Sequence, residues 1–161
     1  MKARIKRLVL LVVIILEGVS CSIESELLAP DTEYEMVIRS GTSYGMCVGY
    51  CVRSLDISGA NATYYMVGYQ TDDYPMKTKP GKISIEEWNN LIIEIDEKQI
   101  KRMNNVYGCP DCADGGAEWV EIVTKSYSKK ITFEIYDVPG EISELVDKLR
   151  LIRKRFNPDN I

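Results

Sequence analysis

VRSLDISGANATYYMVGY, residues 52–69, decides the fold. Leu55 and Ile57 alternate with Ser54, Asp56 and Ser58, which is the two-residue period of a strand with one apolar face. Gly59, Ala60 and Asn61 are turn material, and residues 62–69 are aromatic and branched, a composition that favours a second strand. Two strands joined by so short a turn form a hairpin, and hairpins build antiparallel sheets.

Working outward, residues 33–40 (EYEMVIRS) alternate Tyr34, Met36 and Ile38 against Glu35, Val37 and Arg39 and predict a strand before the hairpin. Residues 71–82 are polar, hold Pro75, Pro80 and Gly81, and predict a loop. In SIEEWNNLIIEI, residues 84–95, Ser84 and Glu87 match a capping box, and Ile85, Trp88, Leu91, Ile92 and Ile95 follow at helical spacing. Residues 97–117 are irregular. EWVEIVT (118–124) and KITFEIY (130–136) predict a second hairpin. Pro139 opens a last helix whose stripe is Ile142, Leu145, Val146, Leu149, Ile152 and Phe156. The expected order is β-β-β-α-β-β-α. Each helix has one apolar stripe to bury, so the expected fold is α+β: a five-stranded, mostly antiparallel sheet with two helices packed on one face. Residues 33–156 form a single domain in this reading, and 157–161 a short tail.

The first twenty residues are of another kind. Lys2, Arg4, Lys6 and Arg7 precede nine consecutive apolar residues, Leu8 to Leu16, and Gly18 and Ser20 lead to Cys21. A basic head, a short apolar run and small residues form the layout of a secretory signal. Nine apolar residues are too few for a spanning helix, which needs about 20. Gly18-Val19-Ser20-Cys21 resembles a bacterial lipobox, which implies cleavage before Cys21 and a diacylglycerol on its sulfur. Ordinary cleavage after Ser20, giving a periplasmic or secreted soluble protein, is the alternative. Ser22 beside the lipidated cysteine would suit the outer membrane of a diderm bacterium. Residues 21–32 then form a tether. The chain carries a net charge of −4, and residues 1–20 contribute +3, leaving about −7 for the remainder. An acidic domain is a poor partner for nucleic acid, whose binding rests on phosphate neutralisation. The basic cluster Arg150, Arg153, Lys154 and Arg155 complements the dipole at a helix end.

The 161-residue chain has no histidine, which removes Ser-His and Cys-His nucleophile pairs and histidine metal sites. Its chemistry-bearing groups are Cys47 and Cys51 in YGMCVGYC (44–51), and Cys109 and Cys112 in CPDC. Disulfides are the base expectation for an even set in an exported domain. An extended strand would hold the Cα atoms of Cys47 and Cys51 roughly 13 Å apart, beyond disulfide reach, so that pairing needs a turn, which Gly49 permits. Bridges between the two clusters would close loops of roughly 60 residues, worth about 3–4 kcal/mol, and this pairing is slightly favoured. A zinc site of all four thiolates has plausible spacing, against an oxidising compartment. Redox catalysis at CPDC is the third reading. Cys112 runs into Ala113-Asp114-Gly115-Gly116, which breaks a helix, and Asp111 and Asp114 would raise a thiol pKa. Asp111, Asp114 and Glu118 could hold calcium but lack EF-hand spacing. Asn61-Ala62-Thr63 is a glycosylation sequon in a turn where Asn is expected anyway.

Cys47-Val48-Gly49-Tyr50-Cys51, followed by a strand ending at Ile57, the turn at Gly59 and Tyr65 on the return strand, is similar to the C-x-G-x-C signature of an uncharacterised family of small bacterial envelope domains. Val48 and Val52 stand where many members carry Phe and Pro. The resemblance spans residues 33–156 in element order and implies location and architecture; it brings no activity and no cofactor. The resulting expectation is an exported, lipid-anchored envelope protein that binds a protein or ligand of the envelope and does not catalyse. Its contact surface would be the open sheet face and the 44–50 loop, with Tyr44, Tyr50, Tyr64 or Tyr65, and Tyr69. An envelope thiol-disulfide oxidoreductase or zinc protein is the alternative.

Overall fold

The computed structural model describes residues 35–157. The leader, Cys21 and the tether lie outside the described residues, as do residues 158–161 of the tail. Six strands form one antiparallel sheet: β1 (Met36–Ser43), β2 (Tyr50–Ser58), β3 (Asn61–Gly68), β4 (Lys77–Lys82), β5 (Ala117–Thr124) and β6 (Ser128–Glu134). Their spatial order is β4-β3-β2-β1-β5-β6. Three helices accompany them: α1 (Ile85–Ile92), α2 (Glu97–Arg102) and α3 (Ser143–Phe156).

The β2–β3 hairpin is as expected. Ser58 pairs with Asn61 across two residues, and Gly59 takes the left-handed conformation (φ 58°) that the tight turn requires. From β1, Ile38 faces the helices; from β2, Leu55 and Ile57; from β3, Ala62, Tyr64 and Met66; from β5, Val120 and Ile122; from β6, Ile131 and Phe133. They join Trp88, Leu91 and Ile100 and the α3 stripe in one buried cluster. The last helix starts at Ser143, preceded by one tight turn over Gly140–Ile142.

The expectation of five strands and two helices is corrected to six and three. The sixth strand, β4, reads KTKPGK and has no apolar residue, so it shows no strand period. It is an edge strand held by pairing with β3 from Asn61↔Lys82 to Met66↔Lys77. At an edge, Pro80 is tolerated although it donates nothing, and the lysines discourage pairing with another chain. Gly81 is required because the Phe156 ring sits 2.6 Å from where its Cβ would be. The missed helix, α2, has six residues and one buried side chain, Ile100. That is too short for a period, and the Asp96 carboxylate that accepts from Lys98 N and Gln99 N makes its start.

The capping box at α1 is present in both halves. Glu87 N donates to Ser84 Oγ at 3.0 Å, and Ser84 N donates to the Glu87 carboxylate at 2.9 Å. Ser84→Ala is expected to cost about 1 kcal/mol in urea unfolding. The Ser84 N–H, assisted by Arg155, holds the Glu87 carboxyl below its ordinary value of 4.5. A carboxyl lowered on folding contributes stability above its unfolded value and loses it as pH falls through the folded value. The penalty of Glu87→Ala, which removes that carboxylate, should therefore shrink below pH 4.5; an unchanged penalty at about pH 3 would contradict the assignment.

Among the described residues, no helix covers the opposite sheet face. Arg39 lies there between Asp56 of β2 and Glu121 of β5, at 3.1 and 3.4 Å. Burial pushes the Asp56 carboxyl up, against the pull of Arg39. The Trp119 ring lies over Gly41, 2.7 Å from where a Cβ would be, and Lys130 Nζ sits 4.2 Å from its centroid.

Candidate interaction site

The four cysteines of the domain form two local disulfides, Cys47–Cys51 and Cys109–Cys112, each with Cα atoms 5.5 Å apart. The favoured cross-pairing is thereby corrected. Gly49 at φ 106° folds the chain back inside the first bridge, and Tyr44 N donates to Cys51 O across it. Loops this short are worth about 2 kcal/mol each in the chain-entropy model, not the 3–4 of a long loop. Cystine sulfurs offer no thiolate, so the paired state cannot build a four-thiolate zinc cage.

The cysteine clusters are nevertheless neighbours, and Asp111 joins them. Its carboxylate accepts from Gly45 N at 2.8 Å and from Gly116 N at 3.1 Å, while Asp111 N donates to Gly116 O at 2.9 Å. Three non-glycine residues of this segment are left-handed: Asp111 (φ 61°), Ala113 (φ 51°) and Asp114 (φ 60°). Such backbone costs about 1–3 kcal/mol per residue and persists where its surroundings hold it, here the second bridge and the Asp111 clamp. Cys109 N donates to the Glu134 carboxylate at 2.7 Å. After Cys112 the chain makes a single tight turn. A thiolate at CPDC would face Asp111, Asp114 and Glu134 without a helix N-terminus to stabilise it, which is poor chemistry for a thioredoxin-like nucleophile.

The calcium trio does not assemble either. Asp111 is committed to backbone amides, and Glu118 is 1% exposed on the helix side of β5. Glu118 accepts from Arg150 Nη2 at 2.6 Å and from Arg153 Nη2 at 2.5 Å. Arg153 Nη1 donates to Ser40 Oγ, and Arg150 Nη2 to Ile135 O. Two arginines read as dipole partners are thus the counter-ions of a buried carboxylate. Hydrogen bonding to Glu118 raises the Arg150 guanidinium pKa further.

The expected tyrosines separate into three groups. Tyr64 is 2% exposed in the core and cannot take part in a surface. Tyr65 is half-buried on the open sheet face. Tyr44, Tyr50 and Tyr69 stand at the end of the sheet where the disulfides are. Tyr44 covers Gly116 next to Ile135. Tyr50 packs edge-on against Tyr74 at 5.7 Å, with Lys77 Nζ 4.8 Å from its centroid. Tyr69 is exposed. Met46 (79% exposed) and Val48 (82%), within the expected 44–50 loop though not singled out, complete this tip with two residues outside the expected surface, Met76 beside Lys77 and Tyr136 (97%) beyond β6. The alternation of apolar residues with Gly and Cys in YGMCVGY was the available signal.

No family model matches the chain, and no curated protein matches it.

The tip lies at the far end of the sheet from residue 35. β1 starts at Met36, beside the Ser58 hydroxyl that donates to Met36 O, and runs to Ser43, directly before the stapled loop. Eight strand residues separate the two ends by about 27 Å. Among the described residues, no helix is long and apolar enough to cross a membrane.

Proposed function

We propose that the chain is an exported, lipid-anchored protein of the bacterial cell envelope whose domain works by binding. The observation that carries the reading is the stapled tip. Met46 and Val48 are held in the open by a disulfide, a glycine turn and an aspartate clamp, at the end of the sheet remote from residue 35. Exposed apolar side chains on a constrained backbone lose little entropy on docking, which suits a contact surface. Two disulfides suit an oxidising compartment. The basic head, the apolar run and Cys21 support export and a lipid anchor, in the outer membrane where there is one. Nucleic acid is not the expected partner of so acidic a domain. The oxidoreductase alternative is disfavoured by the carboxylates around CPDC.

Fractionation of cells expressing the full chain tests the reading. The wild-type protein is expected in the membrane fraction, released by detergent and not by salt, with a diacylglycerol mass on Cys21. Cys21→Ser is expected as an exported soluble protein. A chain that keeps residues 1–20 and stays in the cytoplasm with reduced thiols would overturn it.

A further inference from the structure

Four segments meet at the tip: residues 44–50, 69–76, 108–116 and 135–139. Named contacts join them. Gly45 bonds to Asp111, Tyr44 covers Gly116 against Ile135, and Gly49 lies beside Tyr74. Their exposed large apolar side chains are Tyr44, Met46, Val48, Tyr69, Met76 and Tyr136. Their charged residues are Asp72, Asp73, Asp111, Asp114 and Asp137; no lysine or arginine occurs in any of the four segments. Two cations reach these segments: Lys77 is placed over the Tyr50 ring, and Arg150, which donates to Ile135 O, is paired with Glu118 and Asp147. Other cations lie elsewhere, among them Lys79 and Lys82 on the β4 edge, Arg39 and Lys130 on the open sheet face, and Lys125 near residue 35.

We propose that the tip docks a cationic polypeptide segment in which lysine or arginine alternates with apolar side chains. The inference rests on the binding reading above and names the partner's chemistry. Apolar anchors with a one-signed rim select a partner of opposite sign, because like charges at the rim oppose approach. The same rim disfavours a bilayer, since anionic headgroups attract cations and repel carboxylates. Methionine and tyrosine supply the contacts: one adapts its shape, and the other offers a large face and a hydroxyl.

The test uses the full chain carrying Cys21→Ser and three synthetic 12-residue peptides with the same leucine and phenylalanine positions, separated by lysine, glutamate or serine. The lysine peptide is expected to bind, with amide shifts confined to the four segments. Its affinity should fall about tenfold or more between 50 and 500 mM NaCl as the carboxylates are screened. Met46→Ser with Val48→Ser should lower it about tenfold, and Asp72→Asn with Asp73→Asn about threefold, without changing the urea midpoint. Equal binding of the glutamate or serine peptide, shifts on the open sheet face around Trp119, or capture by phosphatidylglycerol vesicles would overturn the assignment. A photo-crosslinker at Val48 in cells separates this failure from that of the binding reading. A discrete adduct at Val48 with no preference for the lysine peptide overturns the cationic partner alone. No adduct at Val48 or Tyr65 and no peptide binding overturns both.

Discussion

Replacing Glu118 with alanine is expected to destabilise the domain by about 3–5 kcal/mol, read as a fall in the urea midpoint at constant slope. Glu118 is fully buried and joins β5 to α3 through Arg150 and Arg153. Removing it strands two guanidinium groups that were desolvated on its account. Arg153 has little access to water, with 12% of its side chain exposed, whereas Arg150 at 34% relieves part of the cost by turning outward. A loss below about 1 kcal/mol would mean that both arginines escape to solvent. The converse variant is equally informative. Glu118→Leu with Arg150→Met and Arg153→Met removes every charge of the triad and should be neutral or stabilising, because well-packed apolar groups avoid the desolvation cost altogether. The triad also bears on the tip: Glu118 is two residues from Gly116, and Arg150 holds the carbonyl of Ile135, next to Tyr136. If the triple variant is stable yet binds the lysine peptide less well, the ion network positions the tip beyond stabilising the fold.

What was legible in the sequence follows from how each element is stabilised. Strands β1, β2, β3, β5 and β6 and helices α1 and α3 bury one face against the core, and burial writes a period into the residues. β4 buries almost nothing; ladder hydrogen bonds with β3 hold it, and these leave no side-chain pattern. Tyr64 and Tyr65 show a different limit. Alternation places them on opposite faces, but both faces of β3 carry an aromatic residue, so the pattern cannot say which one faces the helices. The partners that decide it, Leu55 and Lys79 for Tyr64, come from register with neighbouring strands. Glu118 followed Asp114-Gly115-Gly116 and so resembled a loop acid, while its counter-ions lie 32 and 35 residues further on. Cysteine pairing depended on the local backbone, on Gly49 at φ 106° and a left-handed Asp111, which chain separation alone does not reveal.

The two disulfides are expected to contribute similarly to stability and differently to everything else. Cys47→Ala with Cys51→Ala, and Cys109→Ala with Cys112→Ala, should each cost about 2 kcal/mol, since both bridges close loops of only about four or five residues. Accessibility separates them. Cys109 and Cys112 are exposed, whereas Cys51 is 1% exposed beneath its loop. Limited treatment with a dithiol, followed by alkylation and mass analysis, should label Cys109 and Cys112 well before Cys47 and Cys51, because exchange requires the attacking thiolate to reach a sulfur. Simultaneous release of all four would mean that the first bridge is as open as the second. The consequences for the tip then run opposite to the order of reduction. Opening the Cys109 bridge leaves Val48 within an intact ring and Met46 next to it, although the Asp111 clamp on Gly45 N loosens. Opening the Cys47 bridge loosens the backbone between Tyr44 and Cys51, and re-ordering it on docking need cost only about 1.4 kcal/mol to weaken binding tenfold. Binding of the lysine peptide should therefore survive loss of the exposed bridge with a severalfold penalty. Loss of the buried bridge should weaken it by a factor of about ten or more, although both variants fold with the same stability. Equal penalties for the two variants would show that the stapled ring does not preorganise the apolar anchors, and that the second loop contributes as much to the contact as the first.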